Sequence, residues 1–410
     1  MRKKRSLFNA TDFQTLMYPC FIFCRILGLF PYKVNNSTFE TSKPCYILSI
    51  TITCIFCVCD LILLTYNQNF TKINFETATM SIEAYYFYAL SAFLSIVTLF
   101  LSNPRMRLLQ TIMDISSRLS PKSYKKLSRL IHTKDIFGSI YLMSVMSIFV
   151  YITRTDILNV IFSTYATLSS FQMDMLYINC VCVLKACFKD INNNLQHMQE
   201  FIINSELRTP VVLYYKQRNS FLIMKLKILK KQHMMISNAV QILNTIFWVQ
   251  LLASMTITFC QINLELYYLI QWHDGLVISL NGQISEIIIL SIIYYIVKLA
   301  LTVWACETGK NQAQEIRTTI HDVLNRTRDE QIKEELQSFS LQMLHCKNTF
   351  SAKGFNVDAT FLATVSNRSF PLIIEIYLVC NYFILLSDGG YNYYIYINFV
   401  TILYHVSFLR

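Results

Sequence analysis

Seven stretches of this chain are each apolar for about the length a helix needs to cross a bilayer core, roughly 20 residues. They cover residues 46–66, 83–101, 136–152, 157–188, 242–269, 284–306 and 359–386. Only 15% of the 410 residues are charged, against about 25% in soluble domains. Gly and Pro are scarce, 8 and 7 in all, which suits long helices rather than linkers. The expected fold is an all-α membrane protein of seven transmembrane helices. The fourth and fifth runs are longer than a bilayer requires, and the fourth is expected to continue beyond it as an ordinary helix.

The net charge of +11 raises the possibility of nucleic-acid binding, but the basic residues alternate with apolar runs and read as membrane flanks. Before the first run stand Arg2, Lys3, Lys4, Arg5, Arg25, Lys33 and Lys43. The segment after the second run carries eight, among them Arg105, Arg107 and Lys134, and the segments after the fourth and sixth carry eight and seven. The opposite segments hold only Lys72 and Arg154. Basic residues accumulate on the cytosolic side. This puts the N-terminus in the cytosol and the C-terminus outside, inverted relative to a G-protein-coupled receptor. Asn69 of Asn69-Phe70-Thr71 then falls in the first outer loop as a glycosylation acceptor, while the sequons at Asn9 and Asn325 would be cytosolic and idle. Pro19 and Arg25 interrupt the apolar stretch 13–30, which argues against a cleaved leader and for an amphipathic helix on the inner membrane face.

Most of the 13 cysteines lie inside apolar runs, as Cys54, Cys57 and Cys59 do, and read as packing rather than as metal or redox groups. Between residues 312 and 350, Ile316, Ile320, Val323, Ile332, Leu336, Phe339 and Met343 recur at helical spacing with charges between them. Such a stripe packs either on its own subunit or on another.

The stretch from Ala305-Cys306-Glu307-Thr308 through Phe339-Ser340-Leu341-Gln342-Met343-Leu344-His345 to Phe350-Ser351-Ala352-Lys353-Gly354-Phe355-Asn356-Val357-Asp358 resembles the insect gustatory receptor family, which is related to the insect odorant receptors. Leu27-Gly28-Leu29-Phe30-Pro31-Tyr32 resembles that family's N-terminal segment. The resemblance implies a ligand-gated, non-selective cation channel opened by small-molecule tastants. It also implies homo- or hetero-tetramers with related receptors, in contact with membrane lipid, in the plasma membrane of chemosensory neurons. One departure stands out: the family's last span has Thr-Tyr and then Gln-Phe, where this chain has Ile376-Tyr377 and Tyr382-Phe383 at a shorter spacing.

On this reading residues 1–45 form a cytosolic segment with a re-entrant or surface helix. Residues 46–306 form six spans with a ligand pocket in their outer half, 307–358 a cytosolic helical anchor, 359–388 the pore-lining helix and 389–410 an apolar tail. Pocket candidates are Tyr86, Tyr151, Asp156, Tyr165, Gln261, Glu265 and Glu286, polar or aromatic groups near outer span ends. Tyr is also common at membrane interfaces without any ligand role. Pore or gate candidates are Glu375, Tyr377, Leu378, Asn381 and Tyr382, in the span that the resemblance assigns to the pore, where a ring of Glu375 carboxylates would favour cations; the plainer alternative pairs Glu375 with Arg368. Asp60, Asp174 and Lys298 are ionisable groups within spans and are expected to find partners or carry function. No cofactor, metal or nucleic acid is expected. No H-E-x-x-H, G-x-S-x-G or paired catalytic carboxylates point to an enzyme, and no internal repeat points to a transporter. An odorant receptor and a metabotropic seven-helix receptor remain the alternatives.

Overall fold

The computed structural model of the protein describes residues 8–35, 38–70, 75–153, 157–206, 212–273, 282–346, 348–352, 355–358, 360 and 363–364. Asp156 and the pore candidates Glu375, Tyr377, Leu378, Asn381 and Tyr382 lie outside the described residues, as does most of the seventh apolar run.

The order of elements is α1 (Phe13–Ile26), the strands β1 (Tyr32–Asn35) and β2 (Thr38–Thr41), then α2 (Lys43–Phe70), α3 (Phe75–Phe100), α4 (Ser102–Ser116), α5 (Pro121–Thr153), α6 (Ile157–Glu206), α7 (Val212–His273), α8 (Gly282–Arg326), α9 (Glu330–His345) and the short strands β3 (Ser351–Ala352) and β4 (Phe355–Asn356). The described residues are therefore helical apart from two antiparallel hairpins, β1–β2 and β3–β4, and their connections.

Among the described residues five helices, α2, α5, α6, α7 and α8, are long and apolar enough to cross a membrane, or six if α3 and α4 are one span broken by a 62° bend. The bend has a local cause. Pro104 has no amide proton to give to the carbonyl four residues back, so the ladder from α3 fails there.

Helix α6 is the axis of the bundle. Residues 171–184 are buried on every side, with α6 packed against α8, α7, α5, α4, α3 and α1, and the polar groups among them, Gln172, Asp174 and Asn179, are bonded to neighbouring helices. Helix α2 does the opposite and exposes Ile47, Leu48, Ile55, Val58, Leu61 and Ile62. A bundle that turns so much aliphatic surface outward is suited to lipid rather than water.

Helix α1 begins at a capping box in which Asp12 accepts from the Thr15 amide at 2.8 Å and Thr15 accepts from the Asp12 amide. It ends in a Schellman turn: the Gly28 amide bonds the Arg25 carbonyl at 3.1 Å and the Leu29 amide bonds the Cys24 carbonyl at 2.7 Å. Gly28 takes φ +72°, and a Cβ there would meet Ile52 of α2 at 2.9 Å. The amphipathic reading of this segment thus acquires a partner other than lipid alone. Phe13, Leu16, Met17, Cys20, Phe21 and Cys24 are buried and α1 packs on α4, α5 and α6. Gln172 of α6 donates to the Cys20 carbonyl at 3.3 Å, and the His132 ring of α5 bonds the Leu16 carbonyl at 2.8 Å. Tyr18, Phe23 and Ile26 stay exposed on the other side.

The stripe at residues 312–350 divides between the end of α8 and α9, separated at Thr327–Asp329. Ile316, Ile320, Val323, Ile332, Leu336 and Phe339 are all buried within this chain, with α9 laid against α7 and α8. Lys227 of α7 pairs with Glu335 of α9 at 3.3 Å, and Gln342 donates to the Lys230 carbonyl at 3.0 Å. Phe350 then packs against Gly309, Asn244 donates to the Thr349 carbonyl at 2.8 Å, and Lys310 pairs with Asp358 at 3.3 Å. The segment that leads towards the seventh run is thereby tied to α7 and α8.

Candidate functional site

A narrow cleft opens between α3, α6 and α7. Ser91, Ser95 and Thr98 line it from α3, Ser169, Ser170 and Met173 from α6, and Gln250 from α7, with Leu29 after α1 at one side. The α3 residues sit at helical spacing, so one hydroxyl-bearing face of an otherwise apolar helix is turned inward. The free space is ≈ 20 Å³, room for about one water molecule.

Ser170 connects the cleft to a buried ion pair. Asp174 of α6 and Lys298 of α8 lie 2.8 Å apart, with side chains 4% and 6% exposed. Ser254 of α7 donates to Asp174 at 2.6 Å, and the Lys298 ammonium reaches the Ser170 hydroxyl at 3.5 Å. Three helices meet on one charge pair, and each ion has a hydrogen bond besides its partner. That arrangement is what makes a pair tolerable where water is excluded. The two intramembrane charges read separately from the sequence thus satisfy each other. Asp60 of α2 is different: it is buried, and neither carboxyl oxygen has a hydrogen-bond partner among the described residues.

The residues proposed as a pocket are dispersed. Tyr86 of α3 packs with Leu94, Ala253 and Ile257 in a small cluster between α3 and α7. Gln261 is buried one turn further along α7, and Glu265 accepts a hydrogen bond from Ser291 of α8. Tyr86 thus lies on the α3–α7 seam, while Gln261 and Glu265 follow along α7, the latter turned to α8. Tyr165 points elsewhere, donating to the Leu27 carbonyl at 3.0 Å and lying 4.8 Å from the Phe56 ring. Tyr151, at the end of α5, is 82% exposed, and Glu286 is exposed. Asn69 lies in the last turn of α2.

Sequence reasoning missed Ser91, Ser95, Thr98, Ser169, Ser170 and Gln250. The signal was present, because the first three mark one helical face. It was masked by their small size and by the tolerance of apolar helices for hydroxyls that bond their own backbone, as Ser95 does to the Ser91 carbonyl at 3.0 Å. Arg105 also needs correction. Read as one of the basic residues flanking the second span, it is 1% exposed because the bend after α3 folds α4 back onto α6 and α7.

Residues 17–367 match a family model described as 7tm Chemosensory receptor. Over 139 residues, 33% of this chain, the sequence is 30% identical to putative gustatory receptor 28b of Drosophila melanogaster; the match spans only 30% of that protein's length. Among solved structures, the insect olfactory receptor OR5 from Machilis hrabei superposes with a TM-score of 0.68 at 12% identity, covering 89% of this chain and 98% of that one. The same receptor in complex with eugenol superposes with a TM-score of 0.66 at 10% identity, with the same coverage. At such identities these two likenesses carry the fold alone.

Proposed function

This chain belongs to the 7tm chemosensory receptor family, and from that premise we propose that it is a gustatory receptor in which a small-molecule tastant, bound between α3, α6 and α7, opens a cation pathway through an assembly of four subunits. The observation that carries this reading is the polar-lined cleft resting on the buried Asp174–Lys298 pair. Ligand sites of drug-like size occupy several hundred Å³, whereas the cleft has space for about one water. A tastant enters only if α3 moves away from α6 and α7. Binding and helix displacement are then one event, and the ligand favours whichever bundle arrangement has the wider cleft. Helices α6 and α7 run unbroken for 50 and 62 residues, so a shift at the cleft is carried to the α8–α9 end as rigid-body motion. There Asn244 and Lys310 hold the segment Thr349–Asp358, which leads to residues 359–388, the proposed pore helix.

The basic-residue asymmetry supports a cytosolic N-terminus and seven spans in the plasma membrane. The fold likeness to an olfactory receptor solved with eugenol supports a small organic ligand and keeps the odorant reading alive, so a ligand panel has to include volatiles.

The test is whole-cell recording from heterologous cells expressing the full chain, alone and with related receptors, with G-protein signalling blocked. A ligand-evoked cation current that persists under the block is expected. Responses that vanish under the block would assign the chain to a metabotropic mechanism and overturn the channel reading.

A further inference from the structure

Lys185 of α6 stands inside the fourth apolar run, within a turn of its end. A charge in such a place is costly unless it is paired or reaches out of the apolar layer. Its ammonium lies 5.0 Å from the centre of the Trp304 ring of α8. That is a cation–π contact, and an aromatic face attracts the charge without cancelling it. The charges of Lys189 of α6 and Lys126 of α5 also bear on Lys185, and both of these lysines are exposed. Among the described residues none of the three is in an ion pair. Carboxylates on the same three helices are engaged elsewhere. Asp135 pairs with Lys134, Glu307 pairs with Lys310 at 3.7 Å, and Asp190 accepts from the Asn194 amide at 3.3 Å. Three positive charges thus share one patch and have no carboxylate between them.

The plain account of basic residues at the end of a span is solvation at headgroup level. It suits Lys126 and Lys189. It does not suit an ammonium held over an indole inside an apolar run. The surroundings point to lipid. Helices α5 and α8 pack on each other and on α6, and the Tyr141 hydroxyl of α5 donates to the Leu290 carbonyl of α8 at 2.8 Å. Beyond Lys126, Leu130, Phe137 and Ile140 continue one face of α5 at helical spacing and are exposed. On α8, Ile293, Val297 and Trp304 do the same. Because Tyr141, beside Ile140, reaches α8, the α5 stripe borders that helix. An outward apolar track therefore leads from the three lysines along the bundle.

We propose that Lys126, Lys185 and Lys189 bind the multiply charged headgroup of a phosphorylated inositol phospholipid, whose acyl chains lie along the exposed faces of α5 and α8. A single phosphodiester brings one negative charge to three cations, whereas a phosphorylated inositol brings several. The apolar track favours a lipid-borne phosphate over a free one. On the proposed threading the patch lies at the cytosolic leaflet, whose anionic lipids attract basic segments. The site needs neither the cleft nor the pore of the receptor-channel reading.

The experiment titrates the purified full chain, in a neutral detergent, with dioctanoyl phosphatidylinositol bisphosphate and follows binding by thermophoresis. Saturable binding is expected. Inositol trisphosphate, the headgroup without chains, and dioctanoyl phosphatidylcholine, the chains without the charge, are each expected to bind at least about tenfold more weakly. The double variant Lys126→Gln, Lys189→Gln removes two exposed cations and is expected to raise the Kd roughly 30-fold. Arg317→Gln, Arg328→Gln removes the same charge at the exposed α8–α9 end and should leave the Kd within about threefold. Equal affinity for the free headgroup or for phosphatidylcholine overturns the proposal. So does a Kd that rises no more in the lysine double variant than in the arginine one.

Discussion

Individual side chains in this protein matter most where water is excluded, and the Asp174–Lys298 pair is the clearest case. Each ion is almost fully enclosed, and each has a hydroxyl neighbour, Ser254 or Ser170. Removing one member leaves the other as an unpaired buried charge. Lys298→Met is therefore expected to cost about 3–5 kcal/mol, read as a lower unfolding midpoint and reduced yield of folded receptor. The double variant Asp174→Leu, Lys298→Met should recover most of that loss, because both charges are gone. A double variant as unstable as the single one would show that the pair is not the unit of stability.

Among the elements, the junction from α1 to α2 shows how a short motif acts through geometry. Leu27-Gly28-Leu29-Phe30-Pro31-Tyr32 closes α1 with a left-handed residue at Gly28, sets that residue against Ile52, and sends Phe30 and Tyr32 into the core. Ser49 of α2 bonds the Gly28 carbonyl, so the turn is fastened from both sides. Gly28→Ala adds a left-handed penalty of about 1–2 kcal/mol and a contact too close with Ile52. The expected result is destabilisation by about 2 kcal/mol, measured by thermal unfolding. Gly28→Asn, which tolerates positive φ better, should differ from Ala only if the backbone rather than the Ile52 contact dominates. A stability unchanged by Gly28→Ala would contradict the turn described.

For the whole molecule, the design is a central helix surrounded by others whose outer surfaces stay apolar. Two ends are then available for chemistry: the α3–α6–α7 cleft, and the α8–α9 end with its hairpin. The proposed link between them is the continuity of α6 and α7, and its output is the pore. If residues 359–388 line that pore and Glu375 forms a ring in a tetramer, Glu375→Gln should reduce the permeability of divalent relative to monovalent cations, seen as a shift in reversal potential. An unchanged reversal potential would place Glu375 away from the conduction path and favour its pairing with Arg368.

The helical membrane class, the helices at six of the seven apolar runs and the buried stripe from Ile316 to Phe339 were all legible from residue order. Each follows from a local rule: a bilayer demands long apolar helices, and a 3.6-residue period puts spaced residues on one face. What those rules cannot convey is which faces meet. Asp174 and Lys298 are 124 positions apart, and nothing in either neighbourhood says that α6 and α8 bring them within 2.8 Å. Ser91, Ser95 and Thr98 become a cleft wall only because α3 turns that face to α6. Arg105 looks like a membrane-flanking charge until Pro104 breaks the helix and folds it into the core. Local periodicity determined the elements, while packing between distant segments alone decided where the charges and hydroxyls meet.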